Sequence, residues 1–106
     1  MMKDNALRFL GICRKAQKLV SGDTAVFKAV QSGDAELVII ASDASDNTKK
    51  RFQDKCSTYG ITAVTSFTVA DLGSVTGHEV RAVCAVTDEG LAKAVLERTE
   101  VWQRSE

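Results

Sequence analysis

The feature that most restricts the fold of this chain is a continuous apolar run, Leu37 to Ala41, with β-branched residues at its centre. A strand without polar alternation is typical of a central strand that is covered on both faces. Two segments with helical patterns precede this run in the sequence. Residues 5–16 repeat apolar positions at steps of three and four, and residues 23–32 are largely apolar and end at Gly33. The pattern predicts a buried strand between helices.

The rest of the chain alternates between the same two kinds of pattern. Strands are predicted at 18–21, 61–67 and 82–86, and helices at 45–59, 69–75 and 88–98. This alternation predicts a three-layer α/β/α sandwich with a small mixed sheet of about four strands. We expect a single domain over residues 1–100, and a frayed tail that contains Trp102 over residues 101–106.

Composition argues against a membrane protein and a disulfide framework. No apolar run approaches the ~20 residues that cross a bilayer, and the N-terminus lacks a secretory pattern. We therefore expect a soluble, cytoplasmic protein without a membrane partner. Cys13, Cys56 and Cys84 are far apart in apolar segments, which favours buried reduced thiols.

The donors for a metal centre are scarce. His78 is the only histidine and there is no C-x-x-C, so we expect neither zinc nor any cofactor. Asp43, Ser45 and Asn47 have the spacing that opens a calcium loop, but the positions that need Gly and Glu are Thr48 and Asp54. A helix-capping loop is the favoured interpretation of this segment.

Patterns that indicate catalysis are also missing. A nucleophilic pair would need His78 near Cys84 or another thiol, with a third group to orient the base. Because Cys84 stands inside an apolar strand, a buried structural thiol is favoured. Gly73 and Gly77 flank a Ser-Val-Thr stretch without a nucleotide-binding pattern. We therefore expect no enzymatic activity.

Charge is distributed unevenly although the net charge is +0. Residues 1–55 hold ten basic and seven acidic side chains, whereas residues 56–106 hold four basic and seven acidic. This asymmetry permits one positive face on a neutral protein. The cluster Lys49, Lys50, Arg51 and Lys55 is more typical of a solvated helix face than of a phosphate contact.

Four segments together resemble a known family. They are residues 10–22 (LGICRKAQKLVSG), 28–30 (KAV), 37–45 (LVIIASDAS) and 77–83 (GHEVRAV). They are similar to the ribosomal-protein family of the L-seven-Ae type, and most closely to its small bacterial YlxQ group, over about residues 5–97. The resemblance implies an α/β/α sandwich and binding of kink-turn RNA, a sharply bent duplex with sheared G·A pairs.

The family's first RNA contact is the turn and start of the second helix, with a pattern close to G-x-N-E-x-x-K. Gly22 and Lys28 match it, whereas Thr24 stands at the Asn position and Ala25 at the Glu position. Asn and Glu side chains hydrogen-bond base edges, and Ala25 offers only backbone and methyl contact. Asp23 would substitute only in part, because its charge repels phosphates. We expect weaker or altered RNA recognition than in standard members.

The second contact that the resemblance implies is a loop that holds an unstacked nucleotide, matched here by residues 78–81. Val80 supplies apolar contact, and Arg81 stacks on a base or pairs with a phosphate. The complete predicted RNA-binding set is Lys18, Ser21, Gly22, Asp23, Thr24, Ala25, Lys28, His78, Glu79, Val80 and Arg81. This prediction requires Lys28 and Arg81 to lie on one side of the molecule, with Gly22 uncovered.

Our leading hypothesis is a non-catalytic protein that binds structured RNA, ribosomal or messenger, in association with the ribosome or translation. Helix amides near Gly22 face the RNA backbone, Lys18 and Lys28 neutralise phosphates, and residues 78–81 clasp an extruded base. The alternative is a protein-interaction module of the same fold that has lost its base-specific contacts. Thr24 and Ala25 favour this alternative.

Overall fold

A computed structural model describes residues 2–105 of the chain. Helices and strands alternate along it, as the sequence predicted. In chain order the elements are α1 (Met2–Lys15), β1 (Leu19–Ser21), α2 (Asp23–Ser32), β2 (Leu37–Ile40), α3 (Asp46–Tyr59), β3 (Thr62–Thr65), α4 (Val69–Thr76), β4 (Val83–Val86) and α5 (Glu89–Ser105).

The four strands form one mixed sheet in the order β1-β4-β2-β3. Strands β2 and β3 are parallel, and β4 is antiparallel to both β1 and β2. All residues of β2 and β4 are buried, because these strands are central and carry helices on both faces. The predicted mixed sheet is confirmed.

Helices cover both faces of this sheet. Helix α1 packs against α4 and α5, whereas α2 packs against α3. Apolar side chains from both groups meet the strands in one core, in which Leu10, Val26, Phe52, Leu72 and Val95 are each 0% exposed. The three-layer α/β/α arrangement predicted from the alternation of elements is confirmed.

The end of the chain differs from the predicted frayed tail over residues 101–105. Helix α5 continues to Ser105 instead of ending near Arg98. The reason is tertiary: the Trp102 ring stacks on Phe67 with centroids 4.8 Å apart, and Gln103 Nε2 donates to Ser66 Oγ at 3.0 Å. The tail prediction is therefore wrong over this range, and Glu106 lies outside the described residues.

The three thiols are free and buried, as predicted. Burial raises the pKa of Cys13 and Cys56, and it raises the pKa of Cys84 to about 12. A thiol with so high a pKa carries almost no thiolate at neutral pH, so Cys84 is a poor nucleophile. Within residues 2–105, no helix is long and apolar enough to cross a bilayer.

Candidate nucleic-acid interface

Gly22 joins β1 to α2 in a conformation that only glycine adopts readily. Its φ is 89° and its ψ 156°, in a region closed to side chains with a Cβ. The N–H of Gly22 donates to the carbonyl of Val83 at 3.0 Å, which fixes the turn against the first residue of β4. Gly22 is half-buried, and Asp23, Thr24 and Ala25 after it are exposed, so the first turn of α2 is open to solvent.

Helix α2 begins without a side-chain cap. Its N-cap residue is Gly22, and no side chain among residues 2–105 caps its first-turn amides. The three helices that follow are capped by Ser45, Thr68 and Asp88, each of which accepts from an amide of the first turn. The partial positive charge of these amides is therefore less compensated at α2 than at the later helices.

Residues 78–81 pack closely on α4. The His78 N–H donates to the Gly73 carbonyl and the Arg81 N–H to the Val69 carbonyl, both at 2.9 Å. A Cβ on Gly73 would lie 2.5 Å from the carbonyl oxygen of Glu79, closer than van der Waals contact allows. Gly73 and Gly77, which flank the Ser-Val-Thr stretch, thus serve chain packing around this loop. Gly77 ends α4 in the left-handed conformation.

Arg81 brings the loop and the start of α2 together. A Cβ on Gly22 would lie 3.1 Å from Nη1 of Arg81, so the guanidinium lies directly against the turn. Its Nη2 is 2.9 Å from Nε2 of His78. Its Nε is buried and has no hydrogen-bond partner among residues 2–105. The two predicted contact segments therefore meet at one place.

Thr24, Ala25 and Lys28 lie on the exposed surface of α2, one turn apart. Thr24 and Lys28 line a shallow groove together with Phe27 and Arg51 of α3. Ala25 and Lys28 line a second groove on the side of β1. Lys28 thus projects between two open surfaces that run from the start of α2.

Asp23 points toward α3. One of its carboxylate oxygens forms an ion pair with Nη2 of Arg51. Both side chains are about half exposed, so the pair adds little stability, but it directs the carboxylate to one side of the α2 terminus and offsets its charge. The predicted partial substitution of Asp23 for the missing Asn is not favoured by this arrangement.

Lys18 and Ser21 are placed differently from the rest of the predicted set. Lys18 is exposed, and its carbonyl accepts from the Thr87 N–H at the end of β1 opposite to Gly22. Four residues of extended chain put it roughly 13 Å from the helix start. Ser21 is half-buried and pairs with Cys84 in the sheet. The structure therefore does not bring Lys18 to the Gly22 turn.

Glu79 and Val80 form the exposed tip of the loop. The Val80 side chain is 56% exposed, the largest value among the large exposed apolar residues described. An apolar side chain held outward by a fixed loop is suited to contact with another molecule rather than with the core.

Two arginines near these elements were not recognised from the sequence as part of a site. Arg14 of α1 lies over Gly77, where a Cβ would approach its Nη2 to 2.6 Å. Arg51 lies beside the α2 start through its pair with Asp23. Neither residue has a local sequence signal, because each reaches the site across a helix–helix contact.

The weak catalytic and calcium patterns have structural explanations. His78 contacts Arg81, while the Cys84 thiol is buried in β4. Asp43 accepts from the Val69 N–H at 2.7 Å, and Ser45 caps α3 by accepting from the Thr48 N–H. Between residues 2 and 105, no group of three or more acidic, His or Cys side chains is placed to hold a metal ion.

Comparison with known proteins places this geometry in a family. Residues 4–96 match the model of the ribosomal protein L7Ae/L30e/S12e/Gadd45 family. A curated relative from Bacillus subtilis (strain 168), named RNA-binding protein YlxQ, is 40% identical over 87 residues, 82% of this chain and 87% of the relative. A relative of the same name from Enterococcus faecium is 32% identical over 98 residues, 92% of this chain and 94% of the relative.

Two solved structures are similar in fold. A protein with unknown function from Bacillus halodurans C has a TM-score of 0.85 at 36% identity, covering 90% of this chain and 96% of that one. The 15.5kD RNA binding protein of Giardia lamblia has a TM-score of 0.76 at 22% identity, covering 94% of this chain and 88% of that one. At this lower identity the likeness shows the fold alone.

Proposed function

This chain belongs to the ribosomal protein L7Ae/L30e/S12e/Gadd45 family, and we propose that it is a non-catalytic RNA-binding protein that recognises kink-turn or similarly bent RNA. The predicted resemblance to this family and its YlxQ group is confirmed. The observation that carries the proposal is the contact between Arg81 and Gly22, which unites the loop and the helix start in one surface.

The start of α2 provides the backbone contact. No described side chain caps its first-turn amides, so these amides can donate to phosphate oxygens, and the helix dipole favours the negative charge. Lys28 lies on the exposed side of the same helix, where its ammonium neutralises a neighbouring phosphate. Lys18, at the end of β1 away from Gly22, neutralises a phosphate farther along the RNA.

The loop provides the nucleotide contact. Val80 presents an exposed apolar surface to an unstacked base, and the Arg81 guanidinium is a flat donor beside it. Because a buried donor without an acceptor is costly, Arg81 gains by turning its Nε–H toward an RNA oxygen on binding. His78 contacts the Arg81 guanidinium from the start of the loop, and Glu79 lies beside Val80 at its exposed tip.

The first turn of α2 offers few side-chain groups that could hydrogen-bond to base edges. Thr24 and Ala25 occupy exposed positions of the α2 first turn, where Thr24 offers one hydroxyl and Ala25 a methyl group. We therefore propose recognition that depends more on the bent shape and the phosphates than on the identity of the bases. Such binding is strongly dependent on salt concentration.

The test is a charge reversal at Lys28. At fixed salt, Lys28→Glu should weaken binding of a kink-turn RNA by at least ~1 kcal/mol, because it removes a phosphate contact and adds repulsion. The matched control is Lys93→Glu on α5, another highly exposed lysine with the same change of charge. Equal affinity of the Lys28 variant and the wild type would refute this site.

The proposed setting is the cytoplasm, in association with the ribosome or translation. Three buried reduced thiols suit a reducing compartment. The competing proposal is a protein-interaction module. It is favoured by Thr24 and Ala25, which stand where the family pattern has the base-reading Asn and Glu. Partners captured from lysate that survive ribonuclease treatment support the module, whereas partners lost on treatment support RNA binding.

A further inference from the structure

Gly11 lies in the interior of α1 without a packing reason for being glycine. Apart from its chain neighbours and the backbone of its own helix, a Cβ added there would meet no atom of residues 2–105 within 4 Å. In a helix interior, glycine costs about 1 kcal/mol relative to alanine, so internal stability favours alanine at this position. Gly73 is the contrast, since the atoms that exclude its Cβ belong to the chain itself. A glycine that faces open space is advantageous where another molecule approaches the helix backbone.

The space in front of Gly11 is a groove between α1 and α4. Arg8, Gly11 and Lys15 line it from one face of α1, since they are spaced three, four and seven residues apart. Leu7 and Val75 also line it, and both are half-buried. The groove therefore combines apolar surface with a helix backbone that is open to close approach.

Charge identifies the kind of molecule that the groove accepts. Within the described part of the chain, three cations line it, Arg8, Arg14 and Lys15, against one carboxylate, Asp4. All three cationic residues are exposed. A groove with clustered cations is complementary to a polyanion. The ribose faces of a sugar–phosphate strand can also contact the apolar side chains, such as Leu7 and Val75, that line the same groove.

The groove continues into the proposed RNA interface. Arg14 lines the groove and also lies against Gly77, the residue next to His78. Gly22 contacts Arg81, and Arg81 contacts His78, which is next to Gly77. Through Arg14, these contacts connect the start of α2 with α1. A strand that continues along this surface past residues 78–81 therefore meets the groove next.

We infer that the α1–α4 groove binds a second segment of the same RNA, the sugar–phosphate backbone of a stem that flanks the bend, with Gly11 allowing the strand to touch the helix. This inference rests on the proposed RNA binding. It assigns a binding role to Arg8, Gly11 and Lys15, which lie outside the turn and loop predicted from the sequence.

The test uses two RNAs: a kink-turn with both stems extended, and the same kink-turn trimmed to the pairs beside the bend. Gly11→Ala should raise the midpoint of thermal unfolding and yet weaken binding of the extended RNA at least about threefold, because the methyl holds the strand away. Arg8→Gln and Lys15→Gln should each weaken it about fivefold near 0.15 M salt, as the loss of one phosphate contact predicts. Binding of the trimmed RNA should stay unchanged in all three variants.

Matched controls are Gly90→Ala, a helical glycine of α5 with room for a Cβ, and Lys93→Gln, an exposed lysine of the same helix. Both should bind the extended RNA as the wild type does. Wild-type affinity of Gly11→Ala and Arg8→Gln for the extended RNA, together with weakened binding by Lys28→Glu, would overturn the groove and leave the proposed function standing. If the wild type binds neither RNA, both proposals fail.

Discussion

Gly73 offers a test of how the loop 78–81 is positioned, since the variant Gly73→Ala changes no side chain of the proposed interface. Its Cβ would lie 2.5 Å from the Glu79 carbonyl oxygen and 2.8 Å from the Val80 Cα, where ordinary contact begins at 3.4 Å. All the nearest atoms are backbone, so the loop itself must move by about 0.9 Å to accept the methyl group.

The size of the effect follows from two opposing terms. Overpacking of this kind costs about 1–3 kcal/mol, and alanine in place of helical glycine returns about 1 kcal/mol. We expect a net loss of about 1 kcal/mol in the free energy of unfolding, measured by urea titration. The displaced loop should also weaken kink-turn binding at least about threefold, because a site loses affinity when its support shifts by close to 1 Å.

The control for this experiment is Gly90→Ala, in which the Cβ approaches Asp88 Oδ2 no closer than 3.5 Å. It should keep wild-type stability or exceed it, with unchanged RNA affinity. If Gly73→Ala showed the same behaviour as the control, the loop would not depend on its packing against α4, and our explanation of its position would be wrong.

Two further predictions concern stability. Burial alone would raise the pKa of Asp71, but hydrogen bonds from Lys3 and Thr68 hold it below its ordinary value. The stabilisation of the fold by the Asp71 carboxylate is therefore present at neutral pH. It is lost as the pH falls through the lowered pKa. Asp71→Asn should therefore lower stability by about 1 kcal/mol at pH 7 and show a smaller acid loss below about pH 4; parallel stability curves would contradict this. Trp102→Ala should cost about 2 kcal/mol in urea unfolding followed by circular dichroism, less than a fully buried tryptophan, because the stack on Phe67 is lost; an unchanged midpoint would mean that the last turns of α5 are not anchored.

Much of the fold was predictable because local patterns and tertiary burial agree. The run from Leu37 matched a central strand buried on both faces, and Gly33 ends α2 as its position suggested. The end of α5 was missed because its last turns are held by distant residues. Phe67, which Trp102 contacts, lies far along the sequence and no local pattern connects the two.

The candidate site was predictable in its parts but not in its assembly. The sequence and the family resemblance indicated the turn at Gly22 and the loop at 78–81. The contact of Arg81 with Gly22 depends on the pairing of β1 with β4, which no short-range pattern specifies. The same limit explains why Arg14 and Arg51 were not included.

The start of α2 and the loop ahead of β4 form one surface, and we expect this surface to bind a bent RNA more tightly than a straight one. The measurement is a pair of titrations of the wild-type protein at one salt concentration, against a kink-turn RNA and a straight duplex of equal length. We predict that the kink-turn binds at least about tenfold more tightly, because only the bend presents phosphates to α2 and an unstacked base to Val80 at once. Equal affinity for the two RNAs would contradict this.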